Sequence, residues 1–154
     1  MDTLKVREIM TTAVITVNPD TTVGELADIL AKNKISGVPV VDGEGRVLGM
    51  VSEADIIVQD ADLHFPYYIQ FLEMVIYLQS VHKFEERVRK QIASKVSEIM
   101  TEEVVSVPPD ESVREVATLM ADRGVNRLPV VEDGRLVGIV TRGDIVRAIA
   151  QKKT

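Results

Sequence analysis

Two short segments of this sequence place a hydroxyl side chain three residues before an aspartate: Ser52 precedes Asp55, and Thr141 precedes Asp144. Such a carboxylate can accept hydrogen bonds from hydroxyl groups of a small molecule. A hydroxyl at the start of a helix lies where backbone amides and the helix dipole attract anions. The same spacing is also that of an ordinary helix N-cap with an acid in the first turn, so both interpretations stay open.

Both segments belong to a longer internal repeat. The matching pairs are Val6–Thr11 with Val96–Thr101, Val38–Val41 with Leu128–Val131, and Gly49–Asp55 with Gly138–Asp144. Two copies of about 50 residues therefore flank a different segment near residues 60–95, and this organisation determines the architecture. We place the first copy at residues 1–60, an inserted helical segment at 61–94 and the second copy at 95–154.

The local signals agree within each copy. Ala13–Val17 and Val104–Val107 are rich in β-branched residues and predict a first strand. Capping boxes at Thr22 and Ser112 then predict helices with one apolar face, which includes Ala27 in the first copy. A hairpin and a second helix complete each copy. We expect an α+β fold in which two βαββα repeats pack sheet to sheet about a pseudo-twofold axis, leaving two equivalent clefts.

The overall composition excludes several classes of protein. The chain has no cysteine, which removes disulfides and thiolate sites and suits the cytoplasm, where we expect the protein. Its net charge of −6 argues against nucleic acid as a partner. No uncharged apolar run is long enough for a membrane span, so we expect no membrane association.

The ordered set of motifs resembles a pair of CBS domains, also called a Bateman module. It comprises the two Ile-Met-Thr openings, the Val-Pro-Val-Val and Leu-Pro-Val-Val segments, and the two Gly-to-Asp endings. The resemblance implies a regulatory module that binds an adenosine-containing ligand such as AMP, ADP, ATP or S-adenosylmethionine in clefts between the repeats. It also implies a homodimer and a regulated protein, which we expect to be a separate chain because both termini of this sequence stop at the repeats.

The resemblance also assigns roles to particular residues. Asp55 and Asp144 would hold the ribose, and Ser52, Thr141, Arg142 and Arg127 would face phosphate. The positions that would contact the base are Ile15, Ile35, Ser36, Gly37, Val105, Val125 and Asn126. The four aliphatic residues among them are equally compatible with an ordinary core.

The copies differ where phosphate is expected. Glu53 follows the hydroxyl in the first copy and Arg142 follows it in the second. Because arginine binds phosphate and a glutamate repels it, we predict unequal sites, with the Thr141 and Asp144 site stronger for charged ligands. Arg127 could serve either site, and all these charges could instead be solvated surface groups.

All aromatic residues and both histidines, His64 and His82, fall in the inserted segment. Its helices could cover the module's own core, form a dimer or partner surface, or close over a cleft. Two histidines 18 residues apart, with no third ligand, make a metal site improbable.

Three classes of function remain. The first is the ligand-sensing regulatory module, which uses an adenine nucleotide as a regulatory ligand and not as a catalytic cofactor. The second is a structural or dimerisation adaptor with vestigial clefts that acts through its aromatic insert. An enzyme ranks third, because neither repeat pairs a nucleophile with a base.

Overall fold

The computed structural model describes residues 4–59, 89–90 and 92–152. Most of the expected insert at 61–94 lies outside the described residues, together with every aromatic residue and both histidines. The predictions about the insert therefore stay predictions.

Each copy contains two main helices and one β-hairpin. The first copy consists of α1 (Val23–Asn33), β1 (Gly37–Val41), β2 (Val47–Ser52) and α2 (Glu53–Gln59). The second consists of α4 (Val113–Arg123), β3 (Arg127–Glu132), β4 (Arg135–Thr141) and α5 (Arg142–Lys152). Short helical turns open the copies: a 3-10 turn at Val6–Glu8, and α3 at Val96–Ile99.

The helix starts largely follow the predicted caps. Thr22 Oγ1 accepts a hydrogen bond from the Glu25 amide at 3.1 Å, and the Glu25 carboxylate accepts one from the Thr22 amide at 3.3 Å. Ser112 Oγ likewise accepts from the Glu115 amide at 3.1 Å. The second capping box is incomplete, because the Ser112 amide donates to its neighbour Glu111 instead of to Glu115.

Both predicted hairpins are present and have matching registers. Val40 lies opposite Gly49 in the first, and Val130 lies opposite Gly138 in the second. Each hairpin has its irregularity one residue later, between Val40 and Val41 or between Val130 and Val131. The two copies therefore keep the same fold down to the position of one bulge.

The segments predicted to be the first strands, Ala13–Val17 and Val104–Val107, do not form strands, so this prediction is wrong. Residues 13–17 pair with β1 only through Val17, whose amide donates to the Pro39 carbonyl at 3.1 Å and whose carbonyl accepts from Val41 at 2.9 Å. A longer parallel ladder would need the amide hydrogen that Pro39 lacks, and Pro19 lacks one at the other end. Val107 makes the same single bridge beside Val130, with Pro129 and Pro109 in the limiting positions.

The opening segment of each copy, Val6–Thr11 in the first and Val96–Thr101 in the second, packs against the other copy. The two opening segments are therefore exchanged. Val6 is fully buried in the core of the second copy, and Val96 is fully buried in the core of the first. Thr11 exchanges two backbone hydrogen bonds with Ile139 in β4, both 2.9 Å. Met50 in β2 makes the equivalent pair with Thr101, at 3.0 and 2.9 Å.

Glycines in β2 and β4 allow this exchange. A Cβ atom built on Gly138 would lie 2.5 Å from Met10 Sδ and 3.0 Å from the Thr11 carbonyl oxygen. On Gly49 it would lie 2.8 Å from both Met100 Sδ and the Thr101 carbonyl oxygen. Each glycine thus lets the opening segment of the other copy approach the strand closely.

Candidate functional site

A cleft of about 910 Å³ lies between the two copies. From the first copy it is lined by Thr11, Ala13, Val14, Ile15, Ala27, Leu30, Ala31, Lys34, Ile35, Ser36, Gly37, Val38, Glu53, Ile56 and Ile57. From the second copy it is lined by Asn126, Arg127, Ile139, Thr141, Arg142 and Gly143. Its size suits a small organic ligand, and its walls combine aliphatic side chains with a few polar groups.

The four residues of the first copy that were predicted to contact a base all line this cleft. Ile15 is 36% exposed, which shows that it is not an ordinary core residue. Ile35 is half-buried and also packs against the first core. Ser36 and Gly37 follow it at the start of β1 and complete this wall of the cleft.

The facing wall comes from the second copy. Asn126 and Arg127 lead into β3, while Thr141 and Arg142 join β4 to α5. All four line the same cleft as Ile15 and Ser36. The structure therefore brings the apolar positions of one copy opposite the hydroxyl and guanidinium groups of the other.

Asp144 follows Gly143 in α5, is not itself among the residues that line the cleft, and is only 7% exposed. Its Oδ2 accepts a hydrogen bond from the Thr141 amide at 2.8 Å, and its own amide donates to Thr141 Oγ1 at 3.2 Å. Its Oδ1 accepts a hydrogen bond from Arg147, one turn further along α5. The helix-cap interpretation of this segment is thus realised in the structure.

The other predicted site residues lie away from this cleft. Ser52 and Asp55 repeat the local pairing, with the Ser52 amide 2.8 Å from Asp55 Oδ2. Val105 and Val125 are half-buried and pack against the core of the second copy. None of these four residues lines the cleft that holds Arg127.

Arg127 crosses between the copies. Its guanidinium donates a hydrogen bond to Ser36 Oγ and lies so close to Gly37 that a Cβ atom there would be 2.5 Å from Nη1. Burial lowers the pKa of Arg127 from its ordinary value, and the negative charge of Glu53 acts in the opposite direction. Arg127 therefore remains a partly desolvated cation against the first copy.

The structure places Glu53 and Arg142 differently from the sequence analysis, while the predicted difference in affinity between two sites stays a prediction. Glu53 and Arg142 were expected to mark different clefts, yet both line the same cleft, together with Arg127. They lie at the starts of α2 and α5, and these helix starts meet at the cleft because the copies face each other.

Sequence reasoning missed several residues of this cleft. Ala27 was predicted to be buried but is exposed on the cleft wall. Lys34, at the end of α1, is also exposed and lines the cleft. Thr11 and Ile139 reach it as a hydrogen-bonded pair that exists only because the opening segments are exchanged. No local pattern signals that pairing.

The described part of the chain contains neither a candidate metal site nor a helix that could span a membrane. Among residues 4–59, 89–90 and 92–152, no group of three or more carboxylate or histidine side chains could hold a metal ion. Within the same ranges, no helix combines the length and hydrophobicity that crossing a bilayer requires.

The fold and the cleft define a tandem-repeat module with a ligand-sized site between its halves. The model of the CBS domain family matches residues 6–61 and again residues 96–151. The chain therefore belongs to the CBS-domain family, and the α+β fold of two repeats is confirmed.

Individual relatives agree with this assignment. MJ1426 of Methanocaldococcus jannaschii is 34% identical over 88% of this chain and 85% of its own length. The crystal structure of Arabidopsis thaliana CBSX2 in complex with AMP has a TM-score of 0.76 and 28% identity, covering 98% of this chain and 99% of that one. The CBS domain pair of MJ0100 in complex with 5-methylthioadenosine and S-adenosyl-L-methionine has a TM-score of 0.69 and 28% identity, covering 96% of this chain and 97% of that one.

Proposed function

We propose that this protein is a ligand-sensing regulatory module that binds an adenosine-containing molecule in the cleft between its repeats. The observation that carries the proposal is the meeting of Ile15, Ile35 and Ser36 with Thr141, Arg142 and Arg127 in one cleft. An apolar wall opposite hydroxyl and guanidinium groups suits a ligand with a flat base at one end and an anionic group at the other. The complexes of CBSX2 with AMP and of MJ0100 with S-adenosyl-L-methionine support this ligand class.

In this proposal, each side of the cleft has its own task. Ile15 and Ile35 cover the faces of the base, while Ser36 and Gly37 offer it polar groups. Asp144 accepts hydrogen bonds from the ribose, and Thr141, Arg142 and Arg127 hold phosphate. Asn126 lines this same cleft beside Arg127. Ser52, Asp55, Val105 and Val125 would serve the pseudo-equivalent second cleft in the same way.

The first test is a thermal-shift and calorimetric screen against AMP, ADP, ATP, S-adenosylmethionine and NAD. A ligand at about 100 times its dissociation constant should raise the free energy of unfolding by about 2.7 kcal/mol. Guanosine and cytidine monophosphates serve as controls, since they carry the same ribose and phosphate on another base.

Two results would count against the proposal. If no adenosine compound shifts the transition, the adaptor function with vestigial clefts becomes the better interpretation. If the guanosine and cytidine compounds bind as tightly as AMP, the base wall has no selectivity and the adenosine assignment is wrong.

We also propose that the protein acts as a homodimer that alters a separate partner. Ile57 on α2, which also lines the cleft, and Val146 on α5 occupy equivalent positions of the two repeats and are 65% and 64% exposed. Exposed aliphatic side chains repeated in this way suit a self-complementary interface. A ligand would change the partner only by binding two conformations of the module with different affinities.

A further inference from the structure

Glu53 is the one residue of the described cleft lining that carries a negative charge. It lies at the first position of α2 and is exposed. Three cationic side chains, Lys34, Arg127 and Arg142, line the same cleft. A carboxylate among these cations weakens the attraction that the cleft exerts on anionic groups.

The neighbouring Arg127 is already engaged with the first copy. Its guanidinium donates to Ser36 Oγ and packs against the bare Cα of Gly37. The charge of Glu53 favours the protonated state of Arg127, so the two groups interact electrostatically. A phosphate that enters the cleft therefore meets the negative charge of Glu53 as well as the positive charge of this arginine.

We propose that Glu53 is a specificity-determining residue that sets how much negative charge the bound ligand can carry. Each additional phosphate group increases the repulsion from Glu53, so the carboxylate favours uncharged, cationic or monophosphate adenosine compounds over polyphosphates. This inference rests on the proposed function, because it assumes that an adenosine compound occupies the cleft.

The two copies of the internal repeat differ in charge at the position of Glu53. The residue equivalent to Glu53 in the second copy is Arg142, so the same position carries opposite charges in the two repeats. Both side chains line the one cleft, and removing one charge or the other should therefore shift the selectivity in opposite directions.

The test compares the wild-type protein with Glu53→Gln and Arg142→Gln by calorimetric titration of adenosine, AMP and ATP in magnesium-free buffer. Glu53→Gln should tighten ATP binding about fivefold or more and AMP binding less, while adenosine affinity stays unchanged. Arg142→Gln should weaken ATP binding most. The effect of Glu53→Gln should shrink at high salt, because screening reduces interactions between partly exposed charges.

Glu103→Gln is the matched control, since it removes the same charge from an exposed residue that does not line the cleft. Equal changes for adenosine, AMP and ATP in Glu53→Gln would overturn the inference, because they would indicate a packing effect. An effect of Glu103→Gln as large as that of Glu53→Gln would also overturn it, because only net charge would then matter. If the wild-type protein binds ligand but Glu53→Gln changes nothing, the inference alone fails. If the wild-type protein binds none of these three compounds and none of the other adenosine compounds of the screen, the proposed function fails as well.

Discussion

At the residue scale, capping a helix and binding a ligand are compatible roles for Asp144. Its Oδ2 accepts from the Thr141 amide and its Oδ1 accepts from Arg147. An ionised carboxylate offers about four acceptor positions, so roughly two remain for the hydroxyls of a ribose. The cap seen in the structure therefore leaves acceptor positions on Asp144 for the ribose role that we propose.

We predict that Asp144→Ala weakens binding of the adenosine ligand about tenfold or more. The reason is that hydrogen bonds to a charged group contribute about 1.5–3 kcal/mol each. Calorimetric titration measures the change in affinity. Loss of the cap should also lower the free energy of unfolding by about 1 kcal/mol, so the titration is made well below the unfolding temperature.

Asp122→Ala provides the control for this substitution, because Asp122 is an exposed aspartate on α4 outside the cleft. Its affinity for ligand should equal that of the wild-type protein. Unchanged affinity in Asp144→Ala would remove this carboxylate from the site.

At the element scale, the exchanged opening segments tie the two copies together. Val6 fills the core of the second copy and Val96 fills that of the first, although each stands at the start of the other repeat. The Thr11 and Thr101 pairings then bring the ends of these segments to β4 and β2. Neither copy has its complete core without residues of the other.

We predict that Val6→Ala loosens the second copy and that Val96→Ala loosens the first. Removing two buried methyl groups costs about 2 kcal/mol, including the cavity left behind. Hydrogen exchange followed by NMR should show the Ile139 amide exchanging about tenfold faster or more in Val6→Ala, and the Met50 amide doing so in Val96→Ala.

The two variants act as controls for each other. If Val6→Ala accelerated exchange mainly at Met50, the assignment of Val6 to the second core would be wrong.

At the scale of the whole molecule, the exposed aliphatic side chains on the last helix of each repeat call for an explanation. Ile57, Val146 and Ile149 are 65%, 64% and 38% exposed. A second copy of the chain that covered these residues would place the same surface on both sides of a twofold axis, as closed dimers require.

We predict a wild-type mass in solution of about twice the 17.0 kDa chain, and a mass near that of one chain for Val146→Asp. A buried, unpaired carboxylate at the interface would cost several kcal/mol of association free energy. Light scattering coupled to size-exclusion chromatography measures both masses.

Ala121→Asp, which adds the same charge to an exposed position on α4, should keep the wild-type mass. A dimer that persists in Val146→Asp would exclude this face as the interface, and a monomeric wild-type protein would contradict the homodimer itself.

The sequence by itself determined the features that depend on neighbouring residues. Hydroxyl caps fixed the starts of α1 and α4, and glycine-containing turns such as Asp133–Gly134, where φ is 53° and 80°, fixed the hairpins. The repeat of these signals was enough to predict two equivalent units. The first strands failed because Pro39 and Pro129 limit a ladder that propensity alone would extend.

Only the tertiary structure decided which residues share a cleft. Residues of one repeat that are close in sequence, such as Gly37 and Ser52, start and end one hairpin, whereas the partner of Ser36 across the cleft is Arg127, 91 residues away. Glu53 and Arg142 likewise line one cleft because the repeats face each other with exchanged openings. Local propensity contains no information about such contacts, since they arise from the burial of two cores that each require residues from both repeats.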